Sequence, residues 1–414
     1  MSRIRSNTIV FVVFTVIMMA LYTMPQTVCF IRNDIMGILC TVYYMVFIHR
    51  DIPISVALKV ISPILLYAIV YGTVSMGFDF KLGIILPIMT TWIFSMPAFA
   101  MVAIYRRNSQ KEQKAILVST IVCLLYVCIN TLLAIQSNPD IMRSLDGNSD
   151  MAFVTSMRMS GIGGFGFAYT MGLLFVALFA LHNYRIAISK NPLVYWAILF
   201  AIGYFVLCTQ FTTLLFIIIF SIFFYYLLDA KTLKKKLKFV VLLFLAYYFF
   251  QSFILFGISF FEGQTFGLKF QMIYDGIWGD NDLEHVSKER SEWQLDAFRS
   301  FLSSPIWGNY ILKGNAAIAF DRAHSTILSI MCSTGLLGLV SYFSTYIRIA
   351  KFEAKHLFDK RERTLFFSSI AYYFFFSFFN PTDNVFELSW TLFITVPLLS
   401  LYLTRRCNHL VNNN

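Results

Sequence analysis

Apolar residues along the chain fall into blocks of about 20 residues, separated by short polar stretches. A helix of about 20 mostly apolar residues is long enough to cross the hydrocarbon core of a bilayer. The pattern predicts about twelve transmembrane helices. The predicted spans cover approximately residues 8–24, 35–48, 53–76, 82–105, 115–136, 162–182, 193–208, 211–228, 239–261, 325–347, 365–380 and 388–404.

Composition separates the chain from water-soluble proteins. Of its 414 residues, 58% are hydrophobic and only 13% are charged, whereas soluble domains carry about 25% charged residues. The predicted fold class is therefore all-α, a polytopic membrane protein in which residues 1–414 form a single integral membrane domain. The net charge of +11 does not indicate a nucleic-acid partner, because the basic residues are sorted by side of the membrane.

Lysine and arginine residues are distributed unequally between the two predicted sides. The segments on the side of the N-terminus hold 22 of the 33, the opposite segments hold 10, and Lys59 lies inside a predicted span. Lysine and arginine are enriched on the cytoplasmic side of membrane proteins. We therefore expect both termini to be cytoplasmic and every odd-numbered connection to be external.

One predicted external connection is much longer than the others. It covers residues 262–324, between the ninth and tenth spans, and a smaller external loop covers residues 137–161. Loops this long in a compact protein commonly carry function. Within the large loop, residues at about 288–302 have the periodicity of an amphipathic helix that ends before Pro305.

The predicted loop helix contains an arginine in an unusual position. Trp293, Ala297, Phe298 and Phe301 form one apolar arc, and Arg290 falls in its middle. Glu292, Asp296 and Arg299 point the opposite way. An arginine there needs an anionic partner. A carboxylate of the protein, a lipid headgroup and an anionic substrate all fit, and the sequence does not choose among them.

Two more residues combine useful chemistry with a place at the membrane edge. His324 ends the large loop, where an imidazole suits either a general base near neutral pH or a hydrogen-bonded anchor. Arg158 precedes the glycine-rich segment 160–166, which includes Gly161. These glycines suit either backbone N–H contacts to a phosphate or sugar oxygen, or close packing of helices.

Gly335 and Gly338, in the tenth predicted span, are interpreted as contacts that let helices pack closely. The sequence contains no phosphate-binding loop of the nucleotide hydrolases, no metalloprotease histidine pair and no aspartate pair in an aqueous loop. It therefore predicts neither a metal site nor a cofactor.

Several of these residues, taken in order, resemble a known family. Arg290 and Trp293 lead to Phe301-Leu-Ser-Ser-Pro-Ile-Trp-Gly308, then to Ala323-His-Ser325 and Gly335-Leu-Leu-Gly338. This order is similar to the C-terminal signature of the O-antigen polymerase and ligase superfamily. Arg158 with its trailing glycines also resembles an Arg-x-x-Gly element of that family.

The resemblance is closer to the polymerases, and it implies a glycosyltransferase of the bacterial cytoplasmic (inner) membrane. The substrate it implies is an oligosaccharide repeat unit linked to undecaprenyl pyrophosphate, with membrane lipid as a second partner and a chain-length regulator as a candidate third. The resemblance assigns catalytic roles to His324 and Arg290, and pyrophosphate or sugar binding to Arg158, Arg322, Gly161 and Trp293.

Three other functions stay open. They are an O-antigen ligase that transfers polymer to the lipid A core, a polymerase of capsule or another exported polysaccharide, and a flippase for the same lipid-linked sugar. The family's ligases often have an arginine in the turn that here begins Thr209-Gln210, and an asparagine where this chain has Ser325. Both differences favour a polymerase. A transporter would place ionisable groups near mid-membrane, whereas the charged candidates here gather at the external ends of the spans.

Overall fold

The computed structural model is built of helices, with no strand among the residues that it describes. Those residues are 2–74, 86–107, 109–147, 150–189, 191–230, 249–263, 288–309, 325–356, 360–380 and 385–412, with a few positions between 232 and 275. The helices are α1 (Ser2–Thr23), α2 (Pro25–Phe30), α3 (Asn33–Tyr43), α4 (Ile54–Val74), α5 (Leu86–Arg107), α6 (Gln110–Ser137), α7 (Ile141–Gly147), α8 (Met151–Met159), α9 (Phe165–Ala180), α10 (Arg185–Ile188), α11 (Pro192–Cys208), α12 (Thr212–Asp229), α13 (Phe250–Phe260), α14 (Lys288–Ser303), α15 (Thr326–Ala354), α16 (Lys360–Phe379), α17 (Phe386–Trp390) and α18 (Val396–Asn412). A π-helical turn (Tyr44–Ile48) extends α3, another (Thr391–Thr395) joins α17 to α18, and a 3₁₀ turn (His182–Tyr184) joins α9 to α10.

Five helical stretches among the described residues are long and apolar enough to cross a membrane. They are Ile88–Arg107, Gln110–Ser137, Thr212–Asp229, Thr326–Ala354 and the continuous stretch Phe386–Cys407. The helices Phe165–Ala180 and His182–Ile188 are bent by 65° and add a sixth if they form one span. Shorter apolar helices, such as Pro192–Cys208, coincide with other predicted spans. The all-helical fold is confirmed, and the count of twelve spans stays a prediction.

The continuous helical stretch Phe386–Cys407, which contains α17 and most of α18, forms the centre of the bundle. In Phe386–Cys407, 89% of the apolar window is buried, against 28% in Thr212–Asp229 at the periphery. Trp390 is buried and its ring lies 5.4 Å from that of Tyr22. Around this centre, α4 runs along α15, α12 runs along α16, and α9 contacts both α12 and α16. These neighbours bring the start of α9, the start of α15 and the end of α16 together at one end of the bundle.

The smaller predicted loop, 137–161, is largely helical, because it contains α7 and α8. The side chain of Asp150 begins α8 by accepting hydrogen bonds from the backbone N–H groups of Ala152 (2.9 Å) and Phe153 (3.2 Å). Hydropathy alone predicted a connection here, since these helices are too short to register as spans.

A charged cluster lies at the opposite end of the bundle. Arg107 forms an ion pair with Asp51, and Arg106 donates to the backbone carbonyl of Asp51. Arg106 also lies 3.3 Å from Nε2 of His356, whose Nδ1 is 3.0 Å from the carbonyl of Phe352. A carbonyl only accepts, so Nδ1 carries the proton and Nε2 accepts from Arg106. Burial lowers the pKa of His356 below its ordinary 6.5, and the charge of Arg106 lowers it further.

Candidate active site

The amphipathic helix predicted in the large loop is present as α14, Lys288–Ser303. Ala297 and Phe301, four residues apart, are buried, and Ala297 packs with Cys332 of α15. The charged pair Asp296 and Arg299 is exposed, as the apolar arc predicted. Phe298, on the same apolar arc, is 42% exposed. The buried part of the arc is therefore narrower than the arc itself, and α14 packs against α15.

Arg290 occupies the same register of α14 as that buried line. It precedes Ala297 by seven residues and Phe301 by eleven, and both intervals return a helix to nearly the same angle. The helical backbone of Arg290 and Trp293 is described, and their side chains lie outside the described residues.

The turn that follows α14 is locked into a break in α15. Gly335, in the middle of α15, has φ 64° and ψ −161°, which interrupts the helix. The freed N–H groups of Leu336 and Leu337 donate to the carbonyls of Pro305 (2.8 Å) and Ile306 (3.3 Å). A third bond runs the other way, from the N–H of Asn309 to the carbonyl of Cys332 (2.9 Å). We call these three hydrogen bonds the interlock.

Glycine is required on both sides of the interlock. A Cβ on Gly335 would clash with the carbonyl of Ile306, and one on Gly308 would clash with the backbone of Ser333. Gly308 also has a positive φ of 73°. Gly335 does allow close packing, since the backbone of the turn lies directly against it, but it also breaks the helix and frees hydrogen-bonding groups for the turn, which the sequence did not predict. Gly338, by contrast, retains a packing role against Tyr67 of α4.

The interlock lies well inside α15. Gly335 is nine residues from the start of the helix at Thr326, which corresponds to a depth of about 14 Å. Irregular backbone at such depth needs internal hydrogen bonds, and the interlock supplies them. Ile306 and Trp307 of the turn are exposed apolar side chains. Part of the large predicted loop thus contacts the interior of a candidate span.

Asn309 also fixes the end of α14. Its side chain is buried and donates to the carbonyl and the hydroxyl of Ser300, while its Oδ1 accepts from the hydroxyl of Ser303 at 3.2 Å. Because the same residue donates its backbone N–H to Cys332, it ties α14 and α15 together. Helix α14 is therefore held at its C-terminal end by apolar packing, the interlock and Asn309.

The start of α15 is attached to the end of α16. Ser325 begins α15, and its hydroxyl oxygen accepts from Leu328 N–H at 3.2 Å. Both the N–H and the hydroxyl of Thr326 lie 3.3 Å from the carbonyl oxygen of Asn380, to which they donate. His324 directly precedes Ser325 in the chain and lies outside the described residues, as does Arg322. Ser325, which directly follows His324, is thus held in place.

Asn380 extends the same network to α9. Its Nδ2 donates to the hydroxyl of Tyr169 at 3.2 Å, and the hydroxyl of Tyr372 donates to the carbonyl of Tyr169 at 2.7 Å. Phe165 and Phe211 pack against Tyr169, with ring centroids 4.7 and 6.2 Å away. All of these contacts lie within the first two turns of α9, next to the glycine-rich segment.

Arg158 is half-buried in the last turn of α8. The neighbouring Met159 accepts a hydrogen bond from Nε2 of Gln26 at 3.4 Å, which ties α8 to α2. Burial raises the pKa of the Cys29 thiol on α2, and the positive charge of Arg158 opposes that rise. Arg158 therefore stands at the junction of α2 and α8 with its charge close to Cys29.

Gly161 turns the chain from α8 toward α9. It has a positive φ of 81°, and a Cβ there would lie 2.8 Å from Nδ2 of Asn130 and 2.9 Å from the ring of Tyr126. Gly163 donates its N–H to the hydroxyl of Thr131 at 2.9 Å. Gly166 leaves space for the carboxylate of Glu387. The glycines thus make close contacts between helices, and a contact of this segment to a phosphate or sugar oxygen stays a prediction.

The structure links the two predicted groups of site residues. The chain from Gly161 enters α9, Tyr169 of α9 is bonded to Asn380, and Asn380 is bonded to the start of α15. Sequence reasoning missed the connecting residues Tyr169, Asn309, Asn380 and Glu387. Asn309 and Asn380 each carry a local signal, since one follows the Gly308 turn and the other precedes Pro381 and ends α16.

Among the described residues, no group of three or more His, Cys, Asp or Glu could hold a metal ion. No protein-family model and no curated protein matches the sequence.

Proposed function

We propose that this protein is a polysaccharide polymerase of the bacterial inner membrane. It joins oligosaccharide repeat units carried on undecaprenyl pyrophosphate, at the external face, in a chain of about twelve spans with cytoplasmic termini. The observation that carries the proposal is the interlock. The Pro305–Gly308 turn and the Gly335 break, which are separate motifs of the family resemblance, are bonded to each other.

The interlock explains why both motifs would be needed together. It holds the C-terminal end of α14, the helix that carries Arg290, while Asn380 holds Thr326 close to the end of the large loop. Arg290, on α14, and His324, directly before α15, are thus carried on two segments with fixed attachment points. Such fixed placement of reacting groups supports catalysis by orientation.

In the proposed reaction, a hydroxyl of one repeat unit attacks the anomeric carbon of a second, lipid-linked glycan. The bond from hydroxyl oxygen to anomeric carbon forms, the bond from that carbon to the pyrophosphate oxygen breaks, and His324 accepts the hydroxyl proton. Arg290 and Arg158, with Arg322, stabilise the negative charge that develops on the leaving pyrophosphate. Trp293 and the backbone at Gly161 are assigned to sugar or pyrophosphate binding.

A gel of surface polysaccharide from cells with and without the gene tests the proposal. Loss of the gene is expected to leave lipid core bearing a single repeat unit. Bare core with polymer accumulating on the lipid carrier would instead indicate the ligase. Repeat units retained on the cytoplasmic side would indicate the flippase.

Complementation of the deletion with single variants assigns the residues. Arg290→Ala and His324→Ala are expected to leave single repeat units, because each removes a group that acts on the reacting atoms. Arg299→Ala is the matched control, since it removes an exposed arginine from the same helix, whose partner Asp296 is equally exposed. Wild-type chain lengths from either site variant would contradict the assignment.

A further inference from the structure

A groove runs between α4 and α15, away from the proposed active site. It has a volume of about 390 Å³ and is lined by Ser62, Pro63, Leu66, Val340, Ser341, Ser344 and Arg348. These residues recur at helical spacing on each helix, so the groove follows one face of α4 and one face of α15. Among the residues that the structure describes, its lining contains one cation and no carboxylate.

Arg348 marks one end of the groove. Pro63 has no N–H and leaves the carbonyl of Lys59, four residues earlier, without its helical donor. Arg348 NH1 donates to that carbonyl at 3.1 Å and to the hydroxyl of Ser62 at 2.7 Å. These two bonds use one nitrogen of the guanidinium and hold its plane at the groove. The side chain remains exposed.

Lys59 adds a second cation at the same end. It precedes Ser62, Pro63 and Leu66 by three, four and seven residues, which places it on the face of α4 that lines the groove. Lys59 is exposed, and only its backbone carbonyl takes part in the bonds to Arg348. Two positive charges therefore share one end of a groove that has no acidic lining residue.

The rest of the groove is apolar and open. Leu66 is 65% exposed and Val340 is 60% exposed, in helices that lie within predicted spans. Eight residues separate Val340 from Arg348, a length of about 12 Å along the helix. One end of the groove thus suits a phosphate and the other a hydrocarbon chain.

We propose that this groove binds a phospholipid with a net negative headgroup. The phosphate contacts Arg348 and Lys59, the hydroxyl of Ser344 contacts the glycerol region, and an acyl chain lies along Leu66 and Val340. Arg348 lies six residues before the end of α15, about 9 Å, a depth at which a cation meets a headgroup. The site is independent of the proposed polymerase activity.

Native mass spectrometry of the purified full-length protein tests this site. The protein in detergent is titrated with dioleoyl phosphatidylglycerol, and separately with dioleoyl phosphatidylcholine. The anionic lipid is expected to bind at least about tenfold more tightly, because the zwitterionic lipid carries its own cation next to the phosphate. Equal affinity for the two lipids would overturn the proposal. Displacement of the anionic lipid by an equal concentration of glycerol 3-phosphate would show a site for free phosphate and would also overturn it.

Variants locate the lipid. Lys59→Gln is expected to weaken binding of phosphatidylglycerol about tenfold and to leave the thermal midpoint unchanged, since no hydrogen bond of the described structure uses its ammonium group. Val340→Trp fills the groove with both cations intact and is expected to weaken binding as well. Lys111→Gln, which removes an exposed lysine from the first turn of α6, is the matched control. Wild-type affinity in Lys59→Gln or Val340→Trp, or an equal loss in the control, would contradict the placement.

Discussion

Replacing Gly335 by alanine tests whether the interlock holds α14 against α15. The backbone of Gly335, at φ 64° and ψ −161°, is in a region that is essentially restricted to glycine, and a side chain there costs about 1–3 kcal/mol. The added Cβ also clashes with the carbonyl of Ile306, so the turn must move. Movement breaks the bonds donated by Leu336 and Leu337, at about 1 kcal/mol each. We expect the folded state to lose about 3–5 kcal/mol in total.

Gly263→Ala is the matched control for this variant. Gly263 has a positive φ of 76°, but nothing lies within 4 Å of the Cβ position, so alanine there reports backbone strain alone, about 1–2 kcal/mol. Thermal midpoints of both variants are measured in the same detergent, with hydrogen exchange of the peptide 288–303. Gly335→Ala is expected to have the lower midpoint and faster exchange in α14. Equal midpoints and unchanged exchange in α14 would refute the interlock as the element that holds this helix.

Three further variants test other contacts. Asn309→Ala removes the buried hydrogen bonds to α14 and is expected to lower the thermal midpoint by the equivalent of about 2 kcal/mol. It is also expected to speed hydrogen exchange in α14, and wild-type exchange there would contradict the role of Asn309 in holding the helix. Arg158→Ala is expected to shorten polysaccharide chains on a gel, while Arg32→Ala, at an exposed ion pair with Asp34, leaves the chains intact. Wild-type chains from Arg158→Ala would remove it from the site. Burial lowers the folded-state pKa of His356 below 6.5, so at lower pH the unfolded chain binds more protons than the folded chain. The contribution of neutral His356 to folding stability is therefore full above about pH 6.5 and is lost as the pH falls through the folded-state pKa. His356→Gln is therefore expected to lose less thermal stability than wild type between about pH 7.5 and about pH 5.5, and parallel curves would contradict this.

The loop helix shows what the sequence predicts well. Its predicted end before Pro305 and its exposed Asp296 and Arg299 agree with α14 because these features depend on local periodicity and a proline stop. The exposure of Phe298 could not be predicted, because periodicity gives the angle of an apolar arc and not the width of the partner surface. The packing of α14 against α15 determines which aromatic ring is covered.

The interlock could not be predicted from the sequence, for a different reason. Gly335 and Gly338 have the same residue type and similar neighbours, yet one breaks the helix and the other packs against α4. The difference depends on the carbonyls of Pro305 and Ile306, about 30 residues away in the chain, and no local signal encodes that pairing. The contribution of Asn380 depends in the same way on Tyr169, a residue of another helix.

We propose that the protein joins lipid-linked repeat units. The most direct test is to incubate the purified protein, reconstituted in liposomes, with oligosaccharide repeat units linked to undecaprenyl pyrophosphate, and to separate the glycans by size. We expect glycans of two or more repeat units together with released undecaprenyl pyrophosphate. Both products are expected to be absent with Arg290→Ala and His324→Ala and present with Arg299→Ala. Glycans that stay at one repeat unit with wild-type protein, or that move across the bilayer without being joined, would contradict it.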